Sequence, residues 1–249
     1  MFTDQSPFDI RFEWGERGLA AVSGGCAVMV IVDVCSFSTA VDVATARGAA
    51  ILPYYWKDER GTSFARENKA ILAGDMRSAE TYSLSPSSLT NITPGTRLVL
   101  SSRNGAVLSL QAAPLGTTIA GCLRNAPAVA AYVREHGGPV AVIAGGERWP
   151  DDTLRPAWED LIAAGAIIAE LPGTKSPEAA AAVAAFANAK PNLGERLAHC
   201  SSGQELIGRG FAADVELAAA YGVSRCVPVL KGEAFEAGVG NLRRLGSFQ

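Results

Sequence analysis

The sequence predicts an α/β protein of three layers, α/β/α, built around a mainly parallel sheet. Strand-like and helix-like segments alternate along the chain, the order that gives parallel strands with helices on both faces. The strand-like runs, above all Val28–Val32 and 139–144, are continuously apolar and rich in β-branched residues. Strands covered on both faces have that composition, whereas half-exposed strands alternate. Small polar residues follow several of these runs and lead into helices. In open α/β sheets such carboxyl-terminal strand ends are where ligands bind.

The first buried run carries a strand over 28–33 into a helix over 37–47, which Gly48 can end. Residues 49–54 read as the next strand, 64–70 as a short helix and Ile71–Leu72 as a brief strand. The segment 78–94 is rich in Ser, Thr, Asn and Pro and reads as a long loop, a length that suggests a functional role. Arg97–Ser101 is a strand that Asn104-Gly105 turns into a helix reaching Leu110. Thr117–Gly121 is another, after which Asn125 is placed to cap a helix over 126–135. The strand 139–144 runs into a loop over 145–156, and a helix over 158–165 follows. An alanine-rich helix covers Pro177–Ala189, with further helices at 202–208 and 212–221 and a last strand at 227–230. The pattern is that of one α/β unit over 1–249, divisible into sub-lobes 1–136 and 139–249.

Composition excludes several classes of function. With 249 residues, 48% of them hydrophobic, the chain has ample material for a packed core. A formal charge of −3 is the wrong sign for a nucleic-acid surface. No apolar run approaches the roughly 18 residues of a membrane span. Residues 1–18 mix both charge signs among polar side chains, which is not expected of a secretory signal. The cysteines Cys26, Cys35, Cys122, Cys200 and Cys226 are odd in number and lack metal-ligand spacing, as expected of a reduced cytoplasmic protein. His136 and His199 are the only histidines, so a metal would be a hard ion on oxygen ligands, such as Mg²⁺, rather than zinc.

The chemistry-bearing residues gather at four strand ends. Asp33, Ser36, Ser38 and Thr39 follow the first, and Ser102, Arg103, Asn104 and Gly105 follow a later one. Arg124 and Asn125 come next, then Gly146, Glu147 and Arg148. In a doubly wound sheet all four would lie on one edge. They would offer helix N-terminal amides, hydroxyls and three arginines to a phosphate or carboxylate. Each residue alone also has a plain structural use as a helix cap or a solvated charge. Glu159 and Asp160 open a helix, where acidic residues are favoured by the macrodipole. They are also candidates to join Asp33 around Mg²⁺.

Four known motifs do not fit. The segment 199–206 is similar to a cysteine-phosphatase loop, but Leu206 stands where that loop needs its arginine. An aspartyl phosphatase of the haloacid-dehalogenase type needs a second aspartate two places after the first, where Cys35 stands. Neither a P-loop nor a dinucleotide fingerprint occurs.

An ordered series of short motifs resembles the 2-phosphosulfolactate phosphatase family, the ComB-like proteins of coenzyme M biosynthesis. The series comprises VIVDV with its hydroxyl-rich turn, Ser85-Pro86, Leu100 to Gly105, GCLRNA at 121–126, AGG at 144–146, WEDLIAAGAII at 158–168, SSGQEL at 201–206, Asp214, and Val227-Pro228-Val229. The resemblance implies an α/β hydrolase, dependent on Mg²⁺, acting on a small phosphorylated 2-hydroxy acid. It places Asp33, Asn104, Gly105, Asn125, Glu159 and Asp160 in or near the site. The chain departs from the family at Ser36, where the family carries an arginine, and at Ala106-Val107, where it has Thr-Arg. Its Gly-Glu-Arg is echoed only by Gly74-Asp75-Met76-Arg77.

The resulting expectation is a cytoplasmic phosphatase, a divergent member of that family. Asp33, Glu159 and Arg124 are its catalytic candidates, and Asp33, Glu159 and Asp160 its metal ligands. Ser36, Ser38, Ser102, Arg103, Asn104, Gly105, Asn125, Gly146 and Arg148 are expected to bind a small phosphorylated anion. A non-catalytic protein binding a small anion through the same loops is the alternative. No nucleic-acid or membrane partner is expected, and a homo-oligomer is left open.

Overall fold

A computed structural model describes residues 2–55, 59–74, 76–78 and 80–238. The elements run β1 (Ile10–Trp14), α1 (Gly15–Val22), β2 (Val28–Val32), α2 (Phe37–Thr45), β3 (Ala50–Tyr54), α3 (Glu59–Glu67), β4 (Ile71–Leu72), β5 (Arg97–Ser101) and α4 (Gly105–Ala112). Next come β6 (Thr117–Gly121), α5 (Ala126–His136), β7 (Val140–Ala144), the short pair β8 (Glu147–Arg148) and β9 (Leu154–Arg155), and α6 (Trp158–Ala169). The chain ends through α7 (Pro177–Ala189), α8 (Leu193–His199), α9 (Ser201–Gly208), α10 (Ala212–Ala219), β10 (Pro228–Lys231) and β11 (Ala234–Ala237).

The described residues form a nine-stranded, mostly parallel sheet in the order β1-β7-β2-β6-β10-β11-β3-β5-β4. All five residues of β2 and of β7 are buried, because helices cover both faces there. Val28, Val30 and Val32 pack with Val140 and Val142 against α5, α6 and α7. Met29 and Ile31 point the other way, with Ala141 and Ile143, onto Leu19 and Val22 of α1 and Leu108 of α4. The period-2 alternation of a strand therefore divides one apolar run between two helical layers. That is the three-layer α/β/α arrangement.

The sheet is not doubly wound in the simple sense. Antiparallel pairing occurs at β6–β10, β10–β11 and β11–β3, so β3, β5 and β4 run counter to β2 along the ladder. The seam is thin: Val229↔Ile119 on one side and Phe235↔Ile51 on the other. Strand twist accumulates at about 20–25° per strand, and helices α2 and α4 fill the concavity this creates. Phe37, Ala40, Val41 and Ala44 of α2 meet Ile51, Leu98, Leu100, Ala120 and Phe235 in one cluster. Three of the four expected strand ends, those of β2, β6 and β7, share one edge, and the end of β5 reaches Asp33 from the other half of the sheet.

Two helical contacts have readable causes. Ser176 Oγ accepts the Ala179 N–H at 3.1 Å and Pro177 occupies the first turn, a sequence signature of a helix start. Gly165 lets α6 lie directly on the Ala182 carbonyl of α7, where any side chain would collide. Among the described residues no helix is long and apolar enough to cross a membrane.

Candidate active site

The site is assembled on Asp33, at the end of β2. Its carboxylate is 5% exposed and accepts three hydrogen bonds: Oδ2 from Gly105 N–H at 2.8 Å and from Ser102 Oγ at 3.1 Å, and Oδ1 from Phe37 N–H at 3.4 Å. Helices α2 and α4 thus turn their first amides toward one anion. Gly105 is required for this approach, because a Cβ there would lie 2.7 Å from Asp33 Oδ2 and collide with Phe37. Ser38 holds the turn from inside, accepting from Asp33 N–H at 2.9 Å and donating to the Ile31 carbonyl at 3.1 Å.

A second carboxylate, Asp160, lies in the first turn of α6. It accepts Val34 N–H and Gly146 N–H, each at 2.8 Å. Gly146 adopts φ +68°, and its carbonyl accepts Asn104 Nδ2 at 2.8 Å. One continuous network therefore joins Asp160, Gly146, Asn104, Gly105, Ser102 and Asp33, and with them the ends of β2, β5 and β7. Glu159, next in the same turn, is 2% exposed and takes the Cys200 thiol at 3.4 Å.

The electrostatics are those of crowded carboxylates. Burial pushes Asp33 up against the opposing bonds from Gly105, Ser102 and Phe37, and Glu159 adds repulsion. Burial, then Glu159 and Asp33, push Asp160 well above the usual carboxylate range. Glu147 is pushed up to about 8 by burial, with repulsion from Asp33 and Glu159 opposed by Arg155. Such an oxygen-rich, charge-crowded set has the donor chemistry of a hard divalent cation. Among the described residues no three His, Cys, Asp or Glu side chains are grouped as a ready-made shell. The expected ligands Asp33, Glu159 and Asp160 thus do not form a shell together, and an ion here would take one or two of them and otherwise water or substrate oxygens, as Mg²⁺ does.

The expected arginines separate. Arg103, with its side chain 62% exposed, and Arg148 flank a cavity of about 400 Å³ that Trp14, Asn104 and Gly145 also line. Arg148 is paired there with Glu16 at 3.1 Å. Arg124, expected as a catalytic cation, is instead an internal counter-ion. Its Nε lies 3.0 Å from Asp42 Oδ2 and its Nη1 donates to the Leu217 carbonyl. Asn125 does not cap α5 through its side chain. Its Oδ1 accepts from Cys122 N–H at 2.9 Å and its Nδ2 donates to the Ala120 carbonyl, bracing the turn after β6.

Sequence reasoning passed over one cation. Arg77, from the loop before β5, donates to Ser36 Oγ at 2.7 Å and pairs with the buried Asp214. Its partners lie 41 and 137 positions away, so only the echo of a family motif marked it.

Buried carboxylates at helix N-termini thus lie at the strand ends of an α/β scaffold, near a cleft that Arg103 and Arg148 line together with Glu16 and Asp152. Residues 19–233 match the family described as 2-phosphosulpholactate phosphatase. The chain is 28% identical to a 2-phosphosulfolactate phosphatase of Methanothermobacter thermautotrophicus, over 89% of this chain and 94% of that one. It is 32% identical to a protein of Carboxydothermus hydrogenoformans named "probable 2-phosphosulfolactate phosphatase", over 80% and 84% of the two chains. A Gloeobacter violaceus protein of the same name is 29% identical, over 82% and 87%. The chain belongs to the 2-phosphosulfolactate phosphatase family, and so to the phosphoric monoester hydrolases.

Proposed function

We propose that the protein is a Mg²⁺-dependent phosphatase that hydrolyses a small phosphorylated 2-hydroxy acid of the 2-phosphosulfolactate kind, releasing the hydroxy acid and phosphate. The observation that carries this reading is the Asp33–Gly105–Asn104–Gly146–Asp160 network, which fixes two buried carboxylates beside the Arg103–Arg148 cleft. Asp33, Glu159 and Asp160 are the groups that would hold the ion, with Asp33 and Glu159 as the catalytic carboxylates. Bound there, Mg²⁺ would draw charge from a phosphoryl oxygen and orient water.

The chain's own residues account for the rest. Arg103 and Arg148 neutralise the phosphoryl oxygens, and a charge developing on them is stabilised without reorganisation. Asn104 Nδ2 and the Gly105 amide are held by Gly146 and Asp33, so the loop after β5 is rigid before any ligand arrives. Asp33 or Glu159, in its ionised form, is suited to orient the attacking water, and the proton it takes from that water can pass to the leaving alkoxide. This reading implies a place in coenzyme M biosynthesis and a reducing cytoplasm, where the five free thiols are stable.

The test is turnover of a panel of small phosphomonoesters, including 2-phosphosulfolactate, with Mg²⁺ and with a chelator. Release of phosphate that depends on Mg²⁺ is expected. Saturable phosphate binding without turnover of any ester would replace the enzyme by an anion-binding protein.

A further inference from the structure

Arg77 is held in an unusual way for a loop arginine. Its side chain is only 10% exposed, and its guanidinium stacks 5.5 Å over the Phe211 ring. The carboxylate behind it, Asp214, is 1% exposed and is itself fixed by Ser85 Oγ at 2.7 Å and Ser87 N–H at 3.0 Å. Ser85 is fully buried, and the 3₁₀ turn Pro86–Leu89 packs Leu89 into the core beside α2. The long loop is thus anchored at its far half, and its near half delivers one cation to Ser36, three residues beyond Asp33. Ser36 does not cap α2 with its side chain; its hydroxyl receives the arginine instead.

A guanidinium carries five N–H donors in a fixed fork. Asp214 and Ser36 take two, which leaves the other three without a partner among the described residues. A cation at the positive end of a helix is also electrostatically unfavourable unless an anion is nearby. What sets Arg77 apart from the internal counter-ion Arg124 is its second partner, the Ser36 hydroxyl in the turn that follows Asp33, where Arg124 uses a backbone carbonyl.

We propose that Arg77 is a specificity-determining residue, which binds the acid group that the substrate carries besides its phosphoryl group, and that Asp214 is its positioning residue. The inference rests on the phosphatase reading above and names the part of the site that selects among phosphate esters. The ligand group is a small oxyanion, a carboxylate or sulfonate, which the planar fork can grip with two parallel hydrogen bonds.

The experiment compares 2-phosphosulfolactate with a phosphomonoester lacking any acid group, in the wild type, Arg77→Ala, Arg77→Lys, Asp214→Asn and the double variant Ser36→Arg/Arg77→Ala. For Arg77→Ala the loss in kcat/KM is expected to be about 10- to 100-fold larger on the acid-bearing ester, the effect of one charge-assisted contact. Most of it should appear in KM. The double variant should recover part of that selectivity, because Ser36 already marks where the guanidinium sits, and Arg77→Lys should fall between. Asp214→Asn should shift KM in the same direction by a smaller factor. Equal losses on both esters, with no recovery in the double variant, overturn the proposal. If the wild type turns over no ester, the phosphatase reading fails separately. Calorimetric titration with sulfolactate then decides, equal affinity in wild type and Arg77→Ala being the contrary result.

Discussion

The amide of Gly105 lies 2.8 Å from Asp33 Oδ2, although four strands separate β2 from β5 in the sheet. That contact joins the coiled halves of the sheet at the site. It requires the absence of a side chain at position 105. Gly105→Ala would drive its methyl group against Asp33 and Phe37. A loss of about 1–3 kcal/mol is expected from overpacking, read by urea denaturation, together with most of the turnover. A variant with native stability and native turnover would show that the close approach is dispensable.

Arg124 and Asp42 form a pair whose aspartate side chain is fully buried and also accepts Ser224 Oγ at 2.6 Å. Removing the arginine leaves that carboxylate uncompensated. Arg124→Ala is expected to lose about 3–5 kcal/mol, whereas Arg124→Ala combined with Asp42→Asn loses less. Additive losses across this double-mutant cycle would mean the pair contributes little.

Glu147 provides a pH signature. Its acid form is favoured in the folded protein, with the pKa raised from 4.5 to about 8. A raised carboxyl stabilises the fold fully below the unfolded value, and that contribution is lost as pH rises through the folded value. With a chelator present, wild-type melting temperature should therefore fall between pH 5 and pH 8 more than that of Glu147→Gln. The difference is of order 2 kcal/mol, or roughly 4–8 °C in a chain of this size. Parallel curves for the two proteins would contradict it.

The cysteines should be poor nucleophiles. Burial, then repulsion from Glu159 and Asp160, push Cys35 far up, and burial, then Glu159, push Cys200 up to about 12. Since the thiolate is the reactive form, alkylation of the native protein by iodoacetamide at pH 8 is expected to be at least about tenfold slower than of the unfolded chain. Rapid, site-selective labelling of Cys200 would reopen cysteine chemistry.

What the sequence made legible was local. The run Val28–Val32 is unbroken because both faces are covered, so the strand and Asp33 at its end could be read directly. Ser102, Asn104 and Gly105 were legible for the same reason, as a polar turn behind an apolar strand. β1 lacks such an unbroken run: Ile10, Phe12 and Trp14 alternate with Arg11 and Glu13, the period-2 pattern of a strand with one polar face. Arg11 is nevertheless buried, its charge met by the carbonyls of Val22 and Gly24. β11 escaped notice because Glu236 breaks a four-residue strand, and without it the antiparallel seam and the coiling could not be foreseen. The internal pairing of Arg124 was hidden for a related reason. Strand-end position pointed to Arg124, but Asp42 and Leu217, its partners, lie 82 and 93 positions away, beyond any local pattern.

The strand-end site is tested most directly by a crystal structure of the protein with Mg²⁺ and phosphate. The expected result is an ion about 2.0–2.1 Å from an oxygen of Asp33, Glu159 or Asp160, with waters and a phosphate oxygen completing the octahedron, and the phosphate facing Arg103 or Arg148. Density for both elsewhere on the molecule, with this network unchanged and empty, would contradict it.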